Sequence, residues 1–211
     1  MTPHRPPTIL FDIGGVLTPD PWETILLTPH TGAAALLGVP ANAAQTAGES
    51  LWAPVVCDPD ALEGDWWRAL SAVLGLPPIP RAWWEQVTAR LLVPAPGATA
   101  LLRAAHGAGV RIGIVSNNTA FWYPRQVQAL SLGAVTDPGQ ISLSHADRVD
   151  KGHGLFDVAV ARLSAAGLEP GRALMVEDRA GGAALARAAG LRAYLHAPLG
   201  SLDPVRELLG L

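Results

Sequence analysis

Asp12 closes the apolar run Thr8-Ile9-Leu10-Phe11. Ser116 and Asn117 close Arg111-Ile112-Gly113-Ile114-Val115, and Glu177 and Asp178 close Ala173-Leu174-Met175-Val176. The chain carries 15 basic side chains, and Lys151 is the one lysine among them; the rest are arginine. Arginine and lysine exchange freely on a solvated surface, but not where a compact ammonium must fit against a carboxylate and a phosphate. A carboxylate can attack phosphorus and form an aspartyl-phosphate. Hard oxygen ligands can hold Mg2+ between nucleophile and phosphate, while an ammonium and a hydroxyl bind the remaining phosphate oxygens. Asp12, Ser116, Lys151 and the Glu177-Asp178 pair supply that set, and the chemistry it suits is phosphoryl transfer.

Such residues work together only if the chain gathers them. The short runs at 8–11, 111–115, 173–176 and 192–195 are aliphatic and bounded by turn residues, as buried parallel strands are. A weaker run spans 140–143, and helical periods cover roughly 97–107, 121–131, 155–166 and 180–189. Alternating strands and helices predict a Rossmann-like, doubly wound parallel α/β sheet. Ligands bind such sheets at the carboxyl ends of the strands, where all four groups fall. Residues 20–92 contain no convincing strand but hold six of the seven tryptophans, and Pro77, Pro78 and Pro80 break them into helical pieces. They read as a helical insert after the first strand, with 1–19 and 93–211 forming the core and 93–97 the return linker. The adjacent pairs Trp66-Trp67 and Trp83-Trp84 point to different helix faces, so at most one of each pair can face a site.

Composition sets bounds. The chain is 49% hydrophobic with a net charge of −3, enough for a sizeable core and without the basic run that nucleic acid attracts. No apolar run approaches the roughly 18 residues of a membrane span. Residues 1–7 lack an apolar signal core, and the single Cys57 excludes an intrachain disulfide; both fit a cytoplasmic protein. Cys57 reads as a buried small residue, and His145 and His153 as solvated loop residues.

The segments Phe11-Asp12-Ile13-Gly14-Gly15-Val16-Leu17-Thr18, Val115-Ser116-Asn117-Asn118, Lys151 and Val176-Glu177-Asp178 resemble, in order and spacing, the four motifs of the haloacid dehalogenase superfamily. The insert sits where that superfamily carries a helical cap, and Ser116 to Trp122 is similar to a branch of small sugar-phosphate phosphatases. The resemblance implies Asp12 as nucleophile and metal ligand, the Gly14 carbonyl as a second ligand, and Asp178 with Glu177 completing a Mg2+ site. Ser116, Asn117, Gly15 and the neighbouring amides would bind phosphoryl oxygens, and Lys151 would pair with Asp12 and the phosphate. The substrate would be a small phosphorylated metabolite, a sugar phosphate or nucleotide, enclosed by the cap. The protein would be a monomer or homodimer.

Three positions depart from that pattern. Gly14 stands where an acid-base aspartate is usual, and Asp20 in the following loop is the nearest substitute. Gly181 and Gly182 stand where a further carboxylate is common, and Gly152 follows Lys151 where proline is usual. Two alternatives therefore stay open: a metal-independent dehalogenase on the same fold, and a catalytically impaired binding protein.

Overall fold

A strand with helices on both sides buries both of its faces, so it has no polar alternation. The computed structural model describes residues 8–211; the sequence reading of residues 1–7 lies outside them. Among the described residues the apolar runs form five strands: β1 (Thr8–Phe11), β2 (Arg111–Ser116), β3 (Ile141–Leu143), β4 (Leu174–Glu177) and β5 (Arg192–Leu195). They build one parallel sheet in the order β3-β2-β1-β4-β5. The core is the Rossmann-like doubly wound sheet that the alternating pattern predicts. The chain moves outward from β1 through β2 to β3, then returns to β1's other flank for β4 and β5, leaving a crevice at β1 where the order reverses.

The runs after β1 differ slightly from the sequence reading. β2 extends to Ser116 and β4 is displaced by one residue to Glu177. Both polar residues therefore end strands instead of following them, because ladder pairing carries on to Ser116↔Leu143 and Glu177↔Leu195. β5 is an edge strand with Leu195 exposed, not a fully buried one.

The helices covering the sheet are α6 (Ala98–Gly107), α7 (Tyr123–Leu130), α8 (Ser144–Asp147), α9 (Leu155–Ala165), α10 (Ala180–Ala188) and α11 (Asp203–Leu209). Side chains alternate across a strand. Ile9, Phe11, Ile112, Ile114 and Val176 meet Leu101 and Leu102 of α6 and Val205 of α11 on one face. Leu10, Val115 and Met175 meet Leu155, Phe156 and Leu163 of α9 and Ala186 of α10 on the other. The sequence reading passed over α8 and α11, which have four and seven residues and too few turns to show a period.

Between β1 and α6 lie α1 (Pro21–Leu27), α2 (Ala33–Leu37), α3 (Ala41–Val55), α4 (Glu63–Val73) and α5 (Arg81–Leu91). Pro21, with its φ pre-set for a helix, starts α1, and Pro40 and Pro80 stand immediately before α3 and α5. These helices share an apolar cluster built on Trp22, Trp66, Trp67 and Trp84. Trp67 stacks on Trp84 with ring centroids 6.1 Å apart. Trp122, from the turn after β2, completes the cluster and meets Trp66 edge-on at 5.1 Å.

Gly113 is where the sheet is tightest. A Cβ there would lie 2.5 Å from the Gln140 carbonyl oxygen and 2.6 Å from Leu10 Cδ2. Gly113→Val is expected to destabilise the fold by about 1–3 kcal/mol through overpacking, read from the urea unfolding midpoint. An unchanged midpoint would show that the β1–β2–β3 contact has slack.

Candidate active site

Sheet register brings the first two acids together. Phe11 pairs with Val176, and the Asp12 amide donates to the Val176 carbonyl at 3.0 Å. Asp12 therefore stands level with Glu177, one strand away. The Ile13 amide holds Asp12 Oδ1 at 2.7 Å. Lys151 Nζ donates to Asp12 Oδ2 at 2.5 Å and to Glu177 Oε2 at 2.6 Å. The Lys151 backbone is itself placed by Asn117, whose Oδ1 accepts its amide at 2.8 Å. Strand ends β1, β2 and β4, and the loop after α8, thus meet at one crevice.

The electrostatics follow from burial. Asp12, Lys151 and Glu177 are all buried. Burial and the neighbouring Asp12 charge push the Glu177 carboxyl up to about 7, against the opposing pull of Lys151. Burial and Asp12 also raise Asp178. Burial alone would favour the neutral amine of Lys151, but Asp12 and Glu177 outweigh it and raise the lysine above its ordinary value.

Asp12, Glu177 and Asp178 each offer an oxygen within 4.8 Å of the others. One ammonium cannot neutralise three carboxylates, and Asp178 Oδ1 is buried without a hydrogen-bond partner. A hard divalent cation has the charge and the oxygen preference to satisfy such a set, so these residues fit one.

The glycines that depart from the motif pattern have a spatial reason. A Cβ on Gly14 would lie 2.3 Å from Asp20 Oδ1, so the Asp20 carboxylate occupies the volume beside position 14. A Cβ on Gly182 would lie 2.6 Å from Glu177 Cδ, so Glu177 fills the space there. Gly15, at φ +72°, leaves room for Asp178, whose Oδ2 lies 2.0 Å from where a Cβ would be. Burial pushes the Asp20 carboxyl up to about 6, against the pull of Arg179. Arg179 Nη2 bridges Asp20 Oδ2 at 2.9 Å and Glu23 Oε1 at 3.0 Å, tying the first helix of the insert to the turn after β4.

Asp12, Lys151, Asn117 and Glu177 open onto a cavity of about 670 Å³, whose far wall is Trp22 and Glu23 of α1 and Glu49 and Trp52 of α3. Ser116 ends β2 fully buried; of the Ser116-Asn117 pair it is Asn117 that lines the cavity. The pairs Trp66-Trp67 and Trp83-Trp84 do not reach this cavity. Trp66, Trp67 and Trp84 are buried in the insert's own cluster, and Trp83 packs against it. Cys57 is half-buried, and His145 is buried instead of solvated, with Nδ1 3.0 Å from the Asn118 carbonyl oxygen. The four-residue helix α8 turns it under the loop after β2. His153 is exposed and pairs with Asp150 at 2.8 Å.

Several residues escaped the sequence reading. Glu49 and Trp52 are three apart, one helical face, but no sequence signal aims that face at the sheet edge. Gln126 is fully buried and links Asn118 Nδ2, which donates to it at 2.7 Å, to Thr18 Oγ1, to which it donates at 2.8 Å. Buried Glu63 accepts from Trp122 Nε1 at 3.2 Å and from Arg125 at 2.5 Å.

A family model described as haloacid dehalogenase-like hydrolase matches residues 6–190. The chain belongs to that family of hydrolases. No curated protein matches the sequence. Among solved structures, it is similar to a HAD family enzyme from Bacteroides thetaiotaomicron, with a TM-score of 0.70 and 13% identity over 95% of this chain and 98% of that one. It is also similar to a predicted HAD-like family hydrolase from Porphyromonas gingivalis (TM-score 0.67, 16% identity, 97% and 98% covered). An L-2-haloacid dehalogenase from Xanthobacter autotrophicus shares the fold at TM-score 0.61 and 20% identity, with 97% and 83% covered. At these identities the likeness to solved structures shows the fold.

A cation that binds the folded acids stabilises the protein by mass action. Saturating Mg2+ or Mn2+ is expected to raise the melting temperature by about 5 °C. Asp178→Asn, which leaves the Lys151 pairs intact, should remove the rise. A melting temperature indifferent to both metals would rule the site out.

Proposed function

We propose that this hydrolase is a Mg2+-dependent phosphatase that cleaves a small phosphorylated metabolite through an aspartyl-phosphate on Asp12. The observation that carries the reading is the excess of carboxylate over ammonium around Asp12, with Asp178 Oδ1 left unpartnered. Against a metal-free dehalogenase, the acids Glu177 and Asp178 beside the nucleophile suit a cation better than a small carboxylate substrate. The Bacteroides enzyme has been solved with magnesium and inorganic phosphate, which supports the same chemistry here.

In this reading an Asp12 oxygen attacks phosphorus, the ester P–O bond breaks, and the departing alkoxide takes a proton from Asp20. Water then attacks the acyl phosphate, returns a proton to Asp20 and releases inorganic phosphate. Asp20 suits this task because it faces the same cavity and fills the space beside Gly14. Lys151 orients Asp12 and binds a phosphoryl oxygen, while Asn117 and the Gly15 amide receive the others; Ser116, buried at the end of β2, stands behind Asn117. Mg2+ bound by Asp12, Glu177, Asp178 and the Gly14 carbonyl would offset the repulsion between the carboxylate and its anionic substrate. Residues 20–92 act as a cap on a core of 1–19 and 93–211, excluding water and contributing the far wall.

Phosphate release from p-nitrophenyl phosphate should require Mg2+, stop with EDTA, and fall about 10⁴-fold or more in Asp12→Asn. Halide release from 2-haloacids that survives EDTA would instead establish the dehalogenase. Asp20→Asn should lower kcat/KM, which reports formation of the acyl phosphate, about 10²–10⁴-fold for alkyl phosphates and much less for p-nitrophenyl phosphate, since that phenolate leaves without a proton. Equal losses in kcat/KM on both substrates would remove Asp20 as the leaving group's proton donor.

A further inference from the structure

The far wall of the cavity constrains what is attached to the phosphate. The cavity is lined by the carboxylates of Asp12, Asp20, Glu23, Glu49 and Glu177, against the cations Lys151 and Arg179. Both cations are already engaged: Lys151 with Asp12 and Glu177, Arg179 with Asp20 and Glu23. Among the described residues Glu49 has no ion pair; its carboxylate accepts a hydrogen bond from Gln45 Nε2 at 3.0 Å. A second anionic group on the substrate would have to compete with carboxylates for either cation and would face the exposed Glu49 carboxylate, which no cation neutralises.

The same wall favours a different group. A carboxylate is acceptor-only and takes hydrogen bonds from hydroxyls, while an indole offers an apolar face to a ring. Half-buried Trp52 stacks on Trp122 with centroids 6.3 Å apart, which fixes its plane at the cavity wall. Trp22 is held against α3 because Gly48 has no Cβ; one there would lie 2.4 Å from Trp22 Cε3. That close approach of α3 to α1 puts Glu49 and Trp52 on the wall together with Trp22 and Glu23. A cavity of about 670 Å³ has room for a substrate of this size.

We propose that Glu49, with Glu23, Trp22 and Trp52, selects phosphate monoesters whose leaving group is an uncharged, hydroxyl-bearing ring alcohol, and rejects those that carry a second anion. The proposal rests on the phosphatase reading and adds the substrate class to it. Discrimination comes from like-charge placement against the wrong substrate, which is an efficient source of specificity.

The test measures kcat/KM for matched pairs with Mg2+: glucose 1-phosphate against glucuronic acid 1-phosphate, which keeps the ring and adds a carboxylate, and glucose 1-phosphate against glucose 1,6-bisphosphate. The member of each pair without the second anionic group should be preferred by about 10-fold or more. Glu49→Gln, checked for an unchanged melting temperature, should narrow that ratio several-fold. Adenosine 5′-monophosphate beside glucose 6-phosphate separates a nucleoside from a sugar as the source of this chemistry; preference for either supports the proposal. Turnover of p-nitrophenyl phosphate with the anionic members equal or preferred, or a ratio untouched by Glu49→Gln, overturns the proposal alone. No turnover of any phosphate, p-nitrophenyl phosphate included, overturns the phosphatase reading and this proposal with it.

Discussion

Three carboxylates within 4.8 Å of one another, two of them buried, cannot all stay ionised without positive charge between them. Lys151 supplies part of it, reaching Asp12 at 2.5 Å and Glu177 at 2.6 Å. The surrounding geometry serves that contact. Parallel pairing of β1 with β4 sets Asp12 level with Glu177, and Asn117 from the end of β2 fixes the lysine's backbone. Burial and the neighbouring Asp12 charge push Glu177 up to about 7, and Lys151 opposes them only in part. A buried ion pair of this kind is weak evidence for stability. With the unpartnered Asp178 oxygen beside it, the pair belongs to an acidic cluster whose charge and oxygen atoms suit a cation.

Absent side chains shape this crevice as much as present ones. Positions 14 and 182 carry no side chain, yet neither leaves a void: Asp20 occupies the space beside the first and Glu177 the space beside the second. An acid thus fills the space beside each of these glycines. For Asp20 this placement has a consequence. It stands at the start of the insert and is paired with Arg179 beside Asp178, so the proposed proton carrier belongs to the junction between the two parts of the chain. In the proposed mechanism, any motion of the insert would carry this carboxylate with it.

The insert is joined to the sheet by packing and by polar contacts together. Trp122 enters its tryptophan cluster and donates to buried Glu63, which also receives Arg125. Ser144, the first residue of α8, donates its hydroxyl to the Val56 carbonyl at 2.6 Å and accepts the Asn118 amide at 2.8 Å. These contacts run from the insert to the loop after β2 that presents Asn117. The shape of the far wall and the placement of the near one are thus parts of a single packed assembly.

The sheet, its strand-end acids, the lone lysine and the helical character of residues 20–92 were all legible in the sequence. Each is written locally, in an apolar run, a turn residue or a proline whose effect reaches only a few neighbours. Strand ends were legible to within a residue, since ladder pairing, not the run itself, decides where a strand stops. Asp20 was visible as a nearby acid, but not its seat beside Gly14. Nothing in the sequence separated Trp22 and Trp52, which reach the cavity, from Trp66, Trp67, Trp83 and Trp84, which do not. It could not place Glu49 opposite Asp12, bury Gln126 between Asn118 and Thr18, or withdraw Ser116 from the cavity. Those facts depend on how helices far apart in the chain pack against one another, and that is settled by side-chain volume and close approach, such as Gly48 against Trp22. Local pattern determined the elements and the identity of the reactive groups; only tertiary packing decided which of them share a cavity.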